Sequence, residues 1–177
     1  TWGAAASLAA DVVFELVFKP ECPLVCSTLA DFDVDTTAFI QYFWRKNRPN
    51  GRDYSTMMVL AMAASYDPDP LHPETIRLPF DLWTCEIIAE RWENWLAFDP
   101  LNLVEQGAEA LRSLHGLRIE VGSHDQYNIQ FGSRRLAARL KALEINCGYE
   151  EFDGTHSAID WRLDHVLPYL AQSLKNA

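Results

Sequence analysis

Leu117-Arg118-Ile119-Glu120-Val121-Gly122-Ser123-His124-Asp125-Gln126-Tyr127-Asn128 is the stretch whose reading decides the fold. Leu117, Ile119 and Val121 alternate with Arg118 and Glu120, the two-residue period of a strand rich in branched side chains. Gly122 ends the run, and Asp125 follows in a polar loop. A helix is predicted next: Leu136, Leu140 and Leu143 share one face, while Arg134, Arg135, Arg139 and Lys141 surround the other. Tyr149-Glu150-Glu151-Phe152 reads as a second short strand, followed at once by Asp153-Gly154-Thr155-His156. Strand, crossover helix and strand make a βαβ unit, whose strands are parallel neighbours. Both polar loops then leave carboxyl ends of strands, where open α/β sheets place their sites. An acid on one loop and a histidine on the next form the orienting half of a nucleophile–histidine–acid triad.

The bulk numbers narrow the classes. The 177 residues, 49% of them hydrophobic, suffice for a domain with a real core. A formal net charge of -10 argues against a nucleic-acid partner and against affinity for anionic membranes. No apolar run reaches the length of a membrane span, and no basic-then-apolar leader opens the chain. A cytoplasmic protein without cofactor is expected. Cys22, Cys26, Cys85 and Cys147 lack the paired spacing of a zinc site and read as buried or half-buried thiols in a reducing compartment.

Between residues 20 and 98 the apolar spacing is mostly helical. Thr36 or Thr37 is expected to cap a helix carrying Phe39, Ile40, Phe43 and Trp44. Asp53 or Ser55 is expected to cap a second, stopped by Asp67-Pro68-Asp69-Pro70. A third is expected from Asp81 to Ala97, with Trp83, Ile87, Ile88, Trp92 and Trp95. Asp99-Pro100 restarts the chain with an N-cap acid and proline at the first helical position, and that helix is expected to reach Gly116. The last helix carries Leu163, Val166, Leu167, Leu170 and Leu174 on one stripe, with Pro168 kinking it or marking its start.

The last third resembles the C-terminal part of an α/β-hydrolase, in the esterase D and enterochelin-esterase-like group. Gly122, Asp125, Gln126, Tyr127, Gly132, Glu150, Glu151, Phe152, Asp153, His156, Ser157, Asp160 and Arg162 carry the likeness. The resemblance implies strands six to eight of that fold with flanking helices. Ala4-Ala5-Ala6-Ser7-Leu8 would be the sixth strand, residues 20–98 a helical cap insert, and 99–177 the core that bears acid and histidine. It implies a serine ester hydrolase acting on a small-molecule ester, with His156 as general base and Asp125 fixing its tautomer. An acid before the histidine matches the chain order of this fold, in which the nucleophile comes first.

No Gly-x-Ser-x-Gly elbow occurs in the sequence; Gly132-Ser133 is nearest but follows the acid. The nucleophile is therefore expected upstream of Thr1, since the chain opens Thr1-Trp2-Gly3 without methionine. A sixth strand without the fifth would leave an open edge. The missing N-terminal part, another chain or a second copy is expected to cover it. The competing class is a catalytically inactive hydrolase-like binding or scaffold protein that has lost its serine. A third class, an all-helical interaction module, is suggested by the insert alone.

Other residues have blander readings. Asp125 by itself could be a turn former. His124 is its loop neighbour. His72 and His115 read as loop residues, and His165 as a residue of the last helix. His156, Asp160 and His165 lack a recognised ligand spacing, so no metal is expected. Asp160 and Arg162 read as an ion pair holding the histidine loop. Tyr42, Phe43, Trp44, Trp83, Trp92 and Trp95 could line an acyl or aryl pocket, although aromatics at helical spacing are more often core.

Overall fold

The computed structural model describes residues 3–175, so Thr1 and Trp2 lie outside the described residues. The elements in chain order are β1 (Ala4–Leu8), α1 (Phe14–Val17), a 3-10 turn (Lys19–Glu21), α2 (Cys22–Ala30), α3 (Thr36–Arg45), α4 (Gly51–Tyr66) and α5 (Ala89–Leu96). Next come α6 (Pro100–Leu103), α7 (Ala108–Arg112), β2 (Gly116–Gly122), α8 (Ile129–Ala142), β3 (Gly148–Phe152), a second 3-10 turn (Asp160–Arg162) and α9 (Leu163–Lys175). They fall into two units. Thr1–Val17 with Asp99–Ala177 makes the first, and Phe18–Phe98 the second.

The first unit is mixed α/β. Its sheet has the order β1-β2-β3, with both pairs parallel. Ile119 lies opposite Ser7 on one side and Tyr149 on the other. One sheet face buries Ile119 with Leu140, Ile145, Val104 and Ala108, and Leu117 and Leu136 pack at the margin. α9 covers the other face, where the Tyr169 hydroxyl donates to the Leu117 carbonyl at 3.0 Å.

That second face holds a charge where alternation alone would place a solvated one. Glu120 is fully buried. Arg162 Nε donates to its Oε2 at 2.6 Å, and Arg162 Nη2 reaches Glu150 Oε1 at 2.7 Å. Arg118 pairs with both Glu120 and Glu150. Arg162, itself buried, also lies 4.9 Å from the ring centres of Phe152 and Trp161. Burial alone would raise the Glu120 carboxyl, but hydrogen bonds from Arg162 and Arg118 hold it below the usual glutamate range. The expected Asp160–Arg162 pair is not formed; Asp160 is exposed, and the glutamates of β2 and β3 take the guanidinium.

The second unit is helical. Asp35, not Thr36 or Thr37, caps α3 by accepting from Thr37 and Ala38 N–H. Asn50 caps α4 in a box with Asp53 at the third helical position, so Asp53 supports the cap rather than forming it. The helix expected from Asp81 starts only at Ala89. Asp81 Oδ1 accepts the N–H groups of Trp83 and Thr84 at 2.9 and 2.7 Å, which closes a local turn in place of a helical one. Phe80 and Ile87 then form an antiparallel bridge. α2 was not anticipated, because its two cysteines and Pro23 break the apolar period. In the first unit the helix expected from Pro100 to Gly116 is divided into α6 and α7. Pro168 sits inside α9, which starts five residues earlier.

The buried cluster generates a stability prediction. Arg162→Met strands the Glu120 carboxylate without its main partner and is expected to cost about 3–5 kcal/mol. Adding Glu120→Leu should recover most of the loss, as chemical denaturation of the two variants will show. The Glu120 contribution is present above the ordinary glutamate range and lost as pH falls through its depressed folded value.

Candidate active site

The carboxyl ends of the three strands carry three loops, and each brings an acid or a histidine toward the same place. The β1 loop carries Asp11, the β2 loop Asp125 and the β3 loop His156. β2 and β3 run in parallel register to their ends, with Gly122 opposite Phe152. Beyond that pair the two loops are sewn together. Ser123 N–H donates to Phe152 O and His124 N–H to Gly154 O, each at 2.9 Å. A Cβ on Gly122 would stand 2.5 Å from Gly154 O and 2.7 Å from Thr155 O. Only glycine lets the histidine loop lie this close.

Asp125 and His156 meet. His156 Nδ1 lies 3.0 Å from Asp125 Oδ2, and the Tyr127 N–H donates to Asp125 Oδ1 at 2.9 Å. The Asp125 side chain is fully buried, while the imidazole keeps 36% of its surface. An ionised carboxylate only accepts, so the proton of a neutral ring belongs on Nδ1 and the free lone pair on Nε2. Gln126 fixes the backbone beneath the ring, its Oε1 accepting the His156 N–H at 3.0 Å. The Tyr127 ring meets the imidazole edge-on, 5.1 Å between centres. The arrangement can therefore hold a base in one orientation and stabilise its cation. His124 belongs to a different contact, 3.5 Å from exposed Asp153, with the Ser123 hydroxyl at 3.0 Å from its ring.

Asp11 escaped the reading of the sequence, which stopped at the strand Ala4–Leu8 before it. Burial pushes its carboxyl above the usual aspartate range; the His156 ring pulls it down and Asp125 pushes it up. Its segment is conformationally costly. Ala9 and Val13 flank it at φ 47° and 60°, and a β-branched residue pays heavily in that region. The surroundings impose the shape. Asp99 accepts the N–H groups of Val13 and Phe14 at 3.1 and 2.7 Å, Ala9 N–H donates to Glu120 O at 2.8 Å, and Gly132 leaves room for the Val12 carbonyl. Parallel order was the available signal: the loop after any strand beside β2 must arrive at the same end of the sheet.

The other candidates disperse. Phe43, Trp92 and Trp95 are core of the helical unit, whereas Tyr42, Trp44 and Trp83 are exposed. His165 is exposed against the Trp161 ring. Among the described residues no group of three or more His, Cys, Asp or Glu is placed to hold a metal ion. Among the described residues no helix is long and apolar enough to cross a membrane. The His156 ring has no hydrogen bond to a serine, threonine or cysteine side chain among the described residues. The chain matches no known protein-family model and no curated protein sequence.

A carboxyl raised by folding favours the fold below its unfolded value, near 3.8, and loses that contribution as pH rises through the folded value. Asp11→Asn should therefore melt with the wild type in acid and above it at neutral pH. A melting-temperature difference that is flat across pH, or reversed, contradicts this.

Proposed function

We propose that the chain carries the acid–histidine part of a serine carboxylic-ester hydrolase of the α/β-hydrolase kind, acting on a small-molecule ester in the cytoplasm. The observation that carries the proposal is the 3.0 Å contact between buried Asp125 and half-exposed His156 across adjacent parallel strands. In this reading His156 Nε2 takes the proton of a serine hydroxyl as the oxygen attacks the acyl carbonyl. Asp125 balances the imidazolium through Nδ1. The proton then passes to the leaving alcohol, and water repeats the sequence to free the acid.

The serine comes from outside this chain, on a strand–turn–helix segment of the same protein that pairs with β1. Two features support that placement. β1 pairs only with β2 among the described residues, so its outer backbone groups are open. An apolar groove of about 390 Å³, lined by Leu103, Leu111, Leu117, Leu136 and Leu140, runs beside Ser7 of that strand. A parallel strand added there delivers its own loop to the end of the sheet that holds Asp11, Asp125 and His156. An open edge with an apolar flank also invites pairing between copies. The alternative, a hydrolase-like binding or scaffold protein, is favoured by the missing hydroxyl partner of His156.

Protein that includes the residues preceding Thr1 should hydrolyse p-nitrophenyl acetate and be labelled by a fluorophosphonate on a serine before Thr1. His156→Ala should lower kcat/KM by roughly 10⁴ or more, and Asp125→Asn by about 10²–10⁴. The 177-residue chain alone should show neither turnover nor label, and should self-associate at rising concentration in sedimentation velocity. An unlabelled, inactive longer protein that still binds esters sinks the enzyme and leaves the binding protein.

A further inference from the structure

The helical unit holds a thiol cluster that the proposed reaction does not use. Cys22 and Cys26 stand one turn apart on α2, and Cys85 lies in the turn that follows Phe80. That turn is tied by Asp81 N–H donating to Glu86 O and Cys85 N–H to Asp81 O, both at 2.9 Å. The Cys26 thiol donates to the same Asp81 carbonyl oxygen at 3.7 Å. One oxygen atom thus gathers the Cys85 backbone and the Cys26 side chain, which sets the two cysteines beside each other. Cys85 is held in the left-handed region at φ 61°, a conformation that ordinary side chains avoid. All four cysteines are free; Cys22 is buried, and Cys26 and Cys85 are half-buried and so reachable.

We propose that Cys26 and Cys85 are a redox modification site, a dithiol that reacts with small-molecule disulfides of the glutathione class and closes to an intramolecular disulfide. One thiolate attacks a sulfur of the incoming disulfide, forming a mixed disulfide and expelling one small thiol. The second protein thiolate attacks the protein sulfur of that bond and expels the other. The two protein thiols lose two electrons and two protons, and the small disulfide gains them as two thiols. The bond ties α2 to the turn before α5. Cys85 is suited to it because its backbone is already fixed by Asp81, so closure orders little that is not ordered already.

Burial pushes the Cys22 and Cys26 thiols up to about 12, with neighbouring thiols adding to the effect. The thiolate is the reacting form, so exchange is slow at neutral pH and quickens as pH rises. A reducing compartment keeps the pair open.

The test uses the whole chain. It is incubated with oxidised glutathione at mildly alkaline pH, quenched with a maleimide, digested without reductant and mapped by mass spectrometry. The expected product is one cross-linked peptide pair through Cys26 and Cys85, with neither sulfur labelled and no glutathione left on either. In Cys85→Ser, Cys26 should retain glutathione as a mixed disulfide; in Cys26→Ser, Cys85 should. Three results overturn the proposal: wild-type chain with glutathione persisting on both Cys26 and Cys85, a bond from either of them to Cys22 or Cys147, or both thiols still free when Cys147 has reacted. The wild-type map decides the question even if a serine variant fails to fold.

Discussion

A single carboxylate beneath the sheet governs the geometry of the candidate site. Glu120 is fully buried on β2, and charge in that position is tolerable only when paired and hydrogen-bonded. Arg162 meets the need, and in doing so fixes the segment that follows His156. The histidine loop is therefore held at both ends. β3 anchors Phe152, and the guanidinium under Phe152 and Trp161 anchors the exit. Between those anchors the loop lies against Gly122, so the imidazole has few places to go other than over Asp125. An apolar pair at 120 and 162 could pack as well, but it would not couple two strands and a loop through directed hydrogen bonds.

The parallel βαβ core was readable because its signals are local. Branched residues at 117, 119 and 121, Gly122 as a stop, and leucines at helical spacing each report on their own segment. Asp125 and His156 followed from topology, since both loops leave the same end of the sheet. What was unreadable depended on distant residues. Glu120 looks like the solvated half of an alternating strand until Arg162, forty-two positions on, comes to cover it. The helix expected from Asp81 was lost because one side chain captured the N–H groups of Trp83 and Thr84, a competition that apolar spacing does not record. Trp83, read as a helix residue, ends 95% exposed as a result. Asp11 was passed over because its importance lies in the loops it faces, and a strand of alanines gave no reason to look at its end.

Stability and placement pull against each other around Asp11. A half-buried carboxyl beside Asp125 gains nothing from its neighbours except the attraction of the His156 ring. Its segment spends two left-handed residues, one of them β-branched, to stand there. Asp99 shows the opposite economy: its carboxylate satisfies the Val13 and Phe14 N–H groups that the left-handed turn leaves without partners. The two aspartates together make a turn that is rigid and locally unfavourable, a combination that persists where position matters more than stability.

A histidine with an orienting acid is a base without a task until a nucleophile is brought to Nε2. The strand order says from which side one can arrive. β3 ends the sheet on the histidine side, where the next segment turns at once into the 3-10 turn and α9. Among the described residues β1 ends it on the other, with backbone groups open and an apolar groove alongside. A strand joining β1 in the same direction satisfies those groups and covers that groove, and its loop emerges beside Asp11. In the proposed hydrolase, one added strand–turn–helix meets three needs at once: hydrogen bonds for β1, cover for the leucines, and a reacting atom for His156. A nucleophile arriving on any other surface meets only the last, which is the physical reason for placing it at this edge.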